Sequence, residues 1–242
     1  MRRMPHSKAT MISHLFLLAS LTTTLAFAEE MMMISDFSLS EGEYLDMETV
    51  DDPVMGGTSS STFEILEGEY LEWNGTVEIV DFLNSPGFCI LQTKDNEDFT
   101  GLGEQSGISF FVEKSTVDTM LQPMSAQLTT GAISSTNGEI IAYEGELRMC
   151  ELHAGVIVTE MVELFVPWGE FKPTFRGFVV DGPPLTPEEL NKTYRIGVST
   201  YSSHSAGDFI VKLIKIAARA DSEVCSPIAA TGNDGGGSGA TW

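Results

Sequence analysis

An all-β domain built as a sandwich or barrel is the fold class this chain predicts, on three observations. Short runs of alternating polarity recur from about residue 60 onward, turn-forming residues separate them, and helical periodicity is nearly absent. In the first run Leu71, Trp73, Val77 and Ile79 fall on one parity around Gly75, with Glu72, Asn74, Thr76 and Glu78 on the other, the period-2 signature of a half-buried strand. Ile108 to Val112, Met124 to Leu128 and Glu139 to Tyr143 are similar runs bounded by Gly, Pro, Asn or Ser. From Val156 to Val166 the even positions are Val156, Val158, Glu160, Val162, Leu164 and Val166, an apolar face with a single acid that predicts one long strand. Arg176 to Val180, Tyr194 to Thr200 and Phe209 to Ile216 complete a set of about ten strands, the last apolar on both faces and therefore central. The one helix-start signature is Thr186-Pro187-Glu188-Glu189, with Thr as N-cap and Pro at the first helical position. Lys192 to Tyr194 already reads as strand, which limits that helix to a turn or two.

The two ends stand apart from this pattern. Arg2, Arg3 and Lys8 precede an apolar stretch from Met11 to Leu25, and Ala26-Phe27-Ala28 sets small residues before Glu29, so residues 1–28 read as a cleaved signal peptide. The alternative, a mitochondrial presequence, calls for arginines spread along an amphipathic segment, whereas here both come first. The secretory pathway or the cell exterior is the expected location, with the mitochondrion as the alternative. Residues 226–242 are Gly-rich and too poor in apolar side chains to fold, and the β-domain is placed at residues 34–222. No later segment approaches ~18 uninterrupted apolar residues, so no membrane span is expected after cleavage.

Formal charge is −22, from 13 basic and 35 acidic residues; loss of three basic residues with the leader leaves 10 against 35, or −25. The basic residues are scattered singly, which excludes nucleic acid, because phosphate is neutralised by clustered cations. The same field repels anionic lipid. Cys89, Cys150 and Cys225 allow one bridge and one free thiol. Cys89 lies in the apolar run Phe88-Cys89-Ile90-Leu91 and reads as a buried small hydrophobe, leaving Cys150 with Cys225 as the candidate disulfide. Three lone cysteines without CxxC spacing call for no metal. Asn74-Gly75-Thr76 and Asn191-Lys192-Thr193 are candidate glycosylation sites.

A catalytic set is not visible, and the chain reads as a non-enzyme. His153 and His204 stand in neither HExxH nor HxH spacing, the serine runs lack a GxSxG elbow, and there is no GxGxxG or P-loop, so no cofactor is implied. Two segments remain as candidate binding loops. In the first, Asp51-Asp52-Pro53-Val54-Met55-Gly56-Gly57-Thr58-Ser59, Pro53 holds Asp52 extended, Gly56-Gly57 permits positive φ, and the hydroxyls bond back to the turn. It is either a rigid lead-in to a strand or a shaped loop whose carboxylates accept hydrogen bonds from a ligand, with Asp51, Asp52, Met55, Gly56, Gly57 and Ser59 as candidates. In the second, Val166 to Phe178, Trp168, Phe171 and Arg176 are the candidates. Its rings either join the core or line a loop edge where a sugar or partner stacks. Arg176, in so acidic a chain, is expected to pair with a carboxylate such as Asp181 or Asp52.

At these same two segments the chain resembles the complex I intermediate-associated protein 30 family. The matching stretches are Asp52-Pro53-Val54-Met55-Gly56-Gly57-Thr58-Ser59, Ser85-Pro86-Gly87-Phe88, and Pro167-Trp168-Gly169-Glu170-Phe171-Lys172-Pro173-Thr174-Phe175-Arg176-Gly177, followed by Pro183-Pro184-Leu185, Ile196-Gly197-Val198 and Gly207-Asp208-Phe209. The last of these adds Asp208 to the candidate binding residues. The resemblance runs over about residues 48 to 217 and departs from the family in the middle, where Val112 to Met120 replaces a Gly-Asp-Gly segment. It implies a jelly-roll β-sandwich of the galactose-binding-domain type. It also implies a non-catalytic module like the complex I assembly factors, which bind protein partners in mitochondria. A secreted carbohydrate-binding module is the alternative, on the jelly roll, the signal peptide and the aromatic loop at Trp168.

Overall fold

The computed structural model describes residues 31–40, 44–52, 56–81, 83–94, 97–121, 123–150, 161–200 and 206–220. The leader, the Gly-rich tail, Pro53, Met55, His153, His204 and Cys225 lie outside the described residues.

The described residues form sixteen strands and one short α-helix. In chain order the first eight are β1 (Met31–Asp36), β2 (Met47–Asp51), β3 (Ser60–Leu66), β4 (Tyr70–Val77), β5 (Ile79–Val80), β6 (Ser85–Pro86), β7 (Cys89–Thr93) and β8 (Gly107–Glu113). The second eight are β9 (Ser125–Ile133), β10 (Ile140–Glu146), β11 (Arg148–Cys150), β12 (Met161–Pro167), β13 (Lys172–Phe175), β14 (Phe178–Val179), β15 (Arg195–Ser199) and β16 (Gly207–Arg219), with α1 (Pro187–Leu190) between β14 and β15. The pairings are antiparallel and make two seven-stranded sheets. The first runs β11-β12-β8-β16-β4-β3, with β1 also on β16; the second runs β14-β13-β10-β9-β15-β7-β2; β5 and β6 form a small ladder of their own.

The alternation predicted for Leu71 to Val77 sets the core. Leu71, Trp73 and Val77 turn inward from β4, Phe209, Val211 and Leu213 from β16, and they meet Leu91, Leu128, Tyr143 and Ile196 from the second sheet. Trp73 and Phe209 pack edge to face with centroids 4.7 Å apart. Burying one such ring contributes roughly 2–3 kcal/mol. β16 is central, as its apolar character predicts: β4 borders its first half, β1 its second, and β8 lies on the other side. Thr186 caps α1, accepting the Glu189 N–H, and the helix lasts one turn.

Several local readings change. The set is sixteen strands rather than about ten, because β1 and β2 precede residue 60 and because bends divide longer runs. Ile79 does not extend the Leu71 to Val77 face: it is 46% exposed, beyond the end of β4. Of the long strand expected at Val156 to Val166, only Met161–Pro167 falls within the described residues. Arg176 to Val180 is not a continuous strand. Arg176 (φ 53°) and Gly177 (φ 77°) are the left-handed turn of a tight hairpin between β13 and β14.

Candidate functional site

Asp51 ends β2 and Asp52 follows it, and their carboxylates are taken up within the chain. Asp52, 1% exposed, accepts the Ser59 N–H at 2.8 Å and the Ser59 hydroxyl at 2.8 Å. Asp51 accepts the Ser61 N–H at 2.8 Å and the Ser61 hydroxyl at 2.6 Å. Ser59 Oγ in turn accepts the Glu78 N–H at 3.0 Å. Two glycines make room for Asp52: a Cβ on Gly57 would fall 2.2 Å from its Cγ, and one on Gly87 would fall 1.6 Å from its Oδ2. The Asp-Pro-Val-Met-Gly-Gly and Ser-Pro-Gly-Phe stretches, about thirty residues apart in sequence, thus close on one carboxylate. Gly56 takes the positive φ predicted for it, 84°. Beside the clamp, Cys89 is a buried free thiol, and burial first, then the Asp51 charge, push its pKa up, so it stays protonated.

Trp168 and Phe171 lie in the core rather than at a loop edge, each 8% exposed. Their centroids are 5.5 Å apart, and the indole N–H donates to the Gln105 carbonyl at 2.8 Å. Arg176 pairs with neither Asp181 nor Asp52. Among the described residues it makes no ion pair, and its guanidinium lies 5.1 Å from the Phe175 ring centroid. Asp208 accepts the Thr76 hydroxyl at 2.7 Å on the other sheet. Asn74 sits within β4 and accepts from Thr62 at 3.3 Å; Asn191 Oδ1 clamps the N–H groups of Gly101 and Gly103 at 3.1 and 3.0 Å. Cys150 is disulfide-bonded.

A groove of about 470 Å³ lies across the outer face of the second sheet. Register explains its lining. Glu48, Gln92, Gly197, Gln127 and Glu144 face one another in sequence across β2, β7, β15, β9 and β10, forming one continuous rung. Their neighbours Leu91, Leu128, Tyr143 and Ile196 point into the core, so this rung points out. The Gln92 amide donates to Glu48 and the Gln127 amide to Glu144, both at 2.9 Å. Arg195, on the next rung, lies 3.9 Å from Glu48. Phe88, Phe175, Arg176 and Tyr194 form the walls. Of these residues only Arg176 was a candidate from sequence. The signal that marks the others is polar residues in runs buried on both sides, such as Gln92 in Ile90-Leu91-Gln92-Thr93.

Burial holds the Glu144 carboxyl above the ordinary carboxylate range, with the Gln127 hydrogen bond opposing it. With the folded pKa above the unfolded value of 4.5, the folded state holds the proton more tightly. Stability therefore falls as pH rises through that window and stays lower above it. Glu144→Gln keeps an acceptor for Gln127 and removes the charge. Its Tm is expected to exceed the parent's at pH 7, with the difference closing below about pH 4. A parent more stable than the variant at pH 7 contradicts this.

Among the described residues no three His, Cys, Asp or Glu side chains gather as a metal site, and no helix is long and apolar enough to cross a membrane. The family model described as complex I intermediate-associated protein 30 matches residues 35–120. Over this segment, about a third of its length, the chain is similar to that family. No curated protein matches the chain. The intermediate-associated protein 30 segment contains the whole Asp52 clamp and ends after β8. The groove is shared: Val50, Phe88 and Gln92 come from the segment, and Gln127, Glu144, Arg176 and Arg195 from beyond it. The Pro167 to Gly177 stretch also lies beyond the match.

Proposed function

We propose that the chain is a non-catalytic binding module of the assembly-factor type, holding a protein partner against the outer face and open edge of its second sheet. One observation carries the reading. Ile133, Ile140, Phe178 and Val179 are 56%, 56%, 63% and 67% exposed and gather at one end of that sheet. Ile133 faces Ile140 across β9 and β10, and Val179 faces Thr174, which faces Ala142, two residues from Ile140. β14 is the edge strand, so its outward N–H and C=O groups are open to pairing with an added strand. Apolar side chains gathered on an exposed edge mark a protein contact.

The leader, with its basic start and Ala26-Phe27-Ala28, supports delivery to the secretory pathway. With a photo-crosslinking side chain at Ile140 and recovered from the cells that make it, the chain is expected to emerge joined to one protein. It should begin at Glu29 and lose mass on deglycosylation. A start further in with no glycan turns the location to an organelle and the role toward complex I assembly.

A further inference from the structure

We propose that the groove across the second sheet is a saccharide site selective for a carboxylated sugar, with Arg176 binding the carboxylate and Gln92 and Gln127 reading hydroxyls on either side of Gly197. This goes beyond the protein-partner reading, which concerns the apolar edge; the two surfaces adjoin at Ile140, which also lines the groove.

Arg176 is the first observation. In a chain of 35 acidic and 13 basic residues it makes no ion pair among the described residues, yet it lines the groove. Its backbone is also held at φ 53°, with Gly177 at 77°. Such a two-residue turn is met at less cost by Asn or Gly than by Arg. A strained position occupied by a cation at a groove wall points to a use for the cation.

The floor is the second. Each glutamine amide nitrogen is tied to a carboxylate at 2.9 Å, which fixes the amide plane and leaves its carbonyl oxygen to accept from a ligand. Gln92 and Gln127 are only 4% and 8% exposed, so these acceptors are ordered before anything binds. Between them Gly197 carries no side chain, and β7 packs so closely there that an added Cβ would fall 2.7 Å from Leu91 O and 2.8 Å from Gln92 Cβ. The result is a slot with acceptors on both sides, and the Phe88 and Tyr194 rings among its walls offer apolar faces to sugar C–H groups. Its volume of about 470 Å³ lies in the range of small-ligand sites.

Arg176 and Arg195 line the groove with Glu144, and the nearby Glu48 accepts from Gln92 and lies 3.9 Å from Arg195, so among the described residues Arg176 is the lining cation with no carboxylate on it and meets a ligand carboxylate. A peptide satisfies its backbone at a strand edge rather than on the face of a sheet, which favours a saccharide for this slot.

The test is calorimetric titration of the full chain with trigalacturonate, with neutral cellotriose and with an Ala-Asp-Ala-Asp peptide. Trigalacturonate is expected to bind at least tenfold more tightly than cellotriose. Arg176→Gly, which suits the turn, is expected to keep or raise Tm, to weaken trigalacturonate at least tenfold and to leave cellotriose unchanged. Equal affinity for the two trisaccharides overturns the proposal, as does trigalacturonate binding unaffected in Arg176→Gly. Binding of the acidic peptide and of neither saccharide assigns the groove to a protein segment, and binding of none of the three ends the proposal.

Discussion

Glu163→Ala is expected to cost the fold about 3–5 kcal/mol in chemical denaturation. Glu163 on β12 and Arg219 at the end of β16 form an ion pair at 2.8 Å with side chains only 6% and 4% exposed. The Ser109 hydroxyl donates to the same carboxylate oxygen, and the guanidinium lies 5.7 Å from the Phe165 ring centroid. Removing the carboxylate takes away the charge that Glu163 holds against a buried guanidinium and the acceptor of the Ser109 hydroxyl, and these are the main sources of the loss. Replacing both partners with methionine takes away the charge as well as the pair, so the double variant is expected to lose much less than Glu163→Ala alone. A double variant as unstable as the sum of the two single ones would show that packing, not charge, sets the effect.

Gly87→Ala is expected to be of similar size, about 3–6 kcal/mol. Its Cβ would fall 1.6 Å from Asp52 Oδ2 and 2.6 Å from Ser59 Oγ, and Gly57 closes the other side of the carboxylate. Asp52 has to leave Ser59, losing two hydrogen bonds to a charged group at about 1.5–3 kcal/mol each, with strain added. Asp52→Ala also leaves Ser59 unsatisfied but removes the nearer obstacle and the carboxylate that fixes the Ser59 hydroxyl, the other one. Gly87→Ala is therefore expected to cost little more when Asp52→Ala is already present, a coupling that a double-mutant cycle measures directly. Strictly additive costs contradict the clamp.

The sandwich was legible because alternation at Leu71 to Val77 and in the later runs is a local signal that burial on one face imposes. β1 and β2 were not legible. Met31 to Ile34 is an unbroken apolar run close behind the leader, and β2, an edge strand, carries Glu48 and Asp51 among its five residues. Arg176-Gly177 read as strand because arginine is an unusual occupant of a left-handed turn. The Asp52 loop was visible as turn chemistry, whereas the part played by Gly87 depends on a segment about thirty residues on. The groove was least legible, since Glu48, Gln92, Gly197, Gln127 and Glu144 meet only through register across five strands. Of the two readings of Trp168, a ring at a loop edge is the one its 8% exposure leaves no room for.

The central claim, that the second sheet carries the partner, is tested most directly by comparing crosslinking yields from both faces. A photo-reactive side chain is placed in turn at Ile140, Phe178 and Val179, and as a control at Ile210, an apolar residue 40% exposed on the first sheet. The account predicts that the three second-sheet positions capture the same protein in the cells that make the chain and that Ile210 does not. Capture from Ile210 alone, or equal capture of many proteins from all four positions, would contradict it.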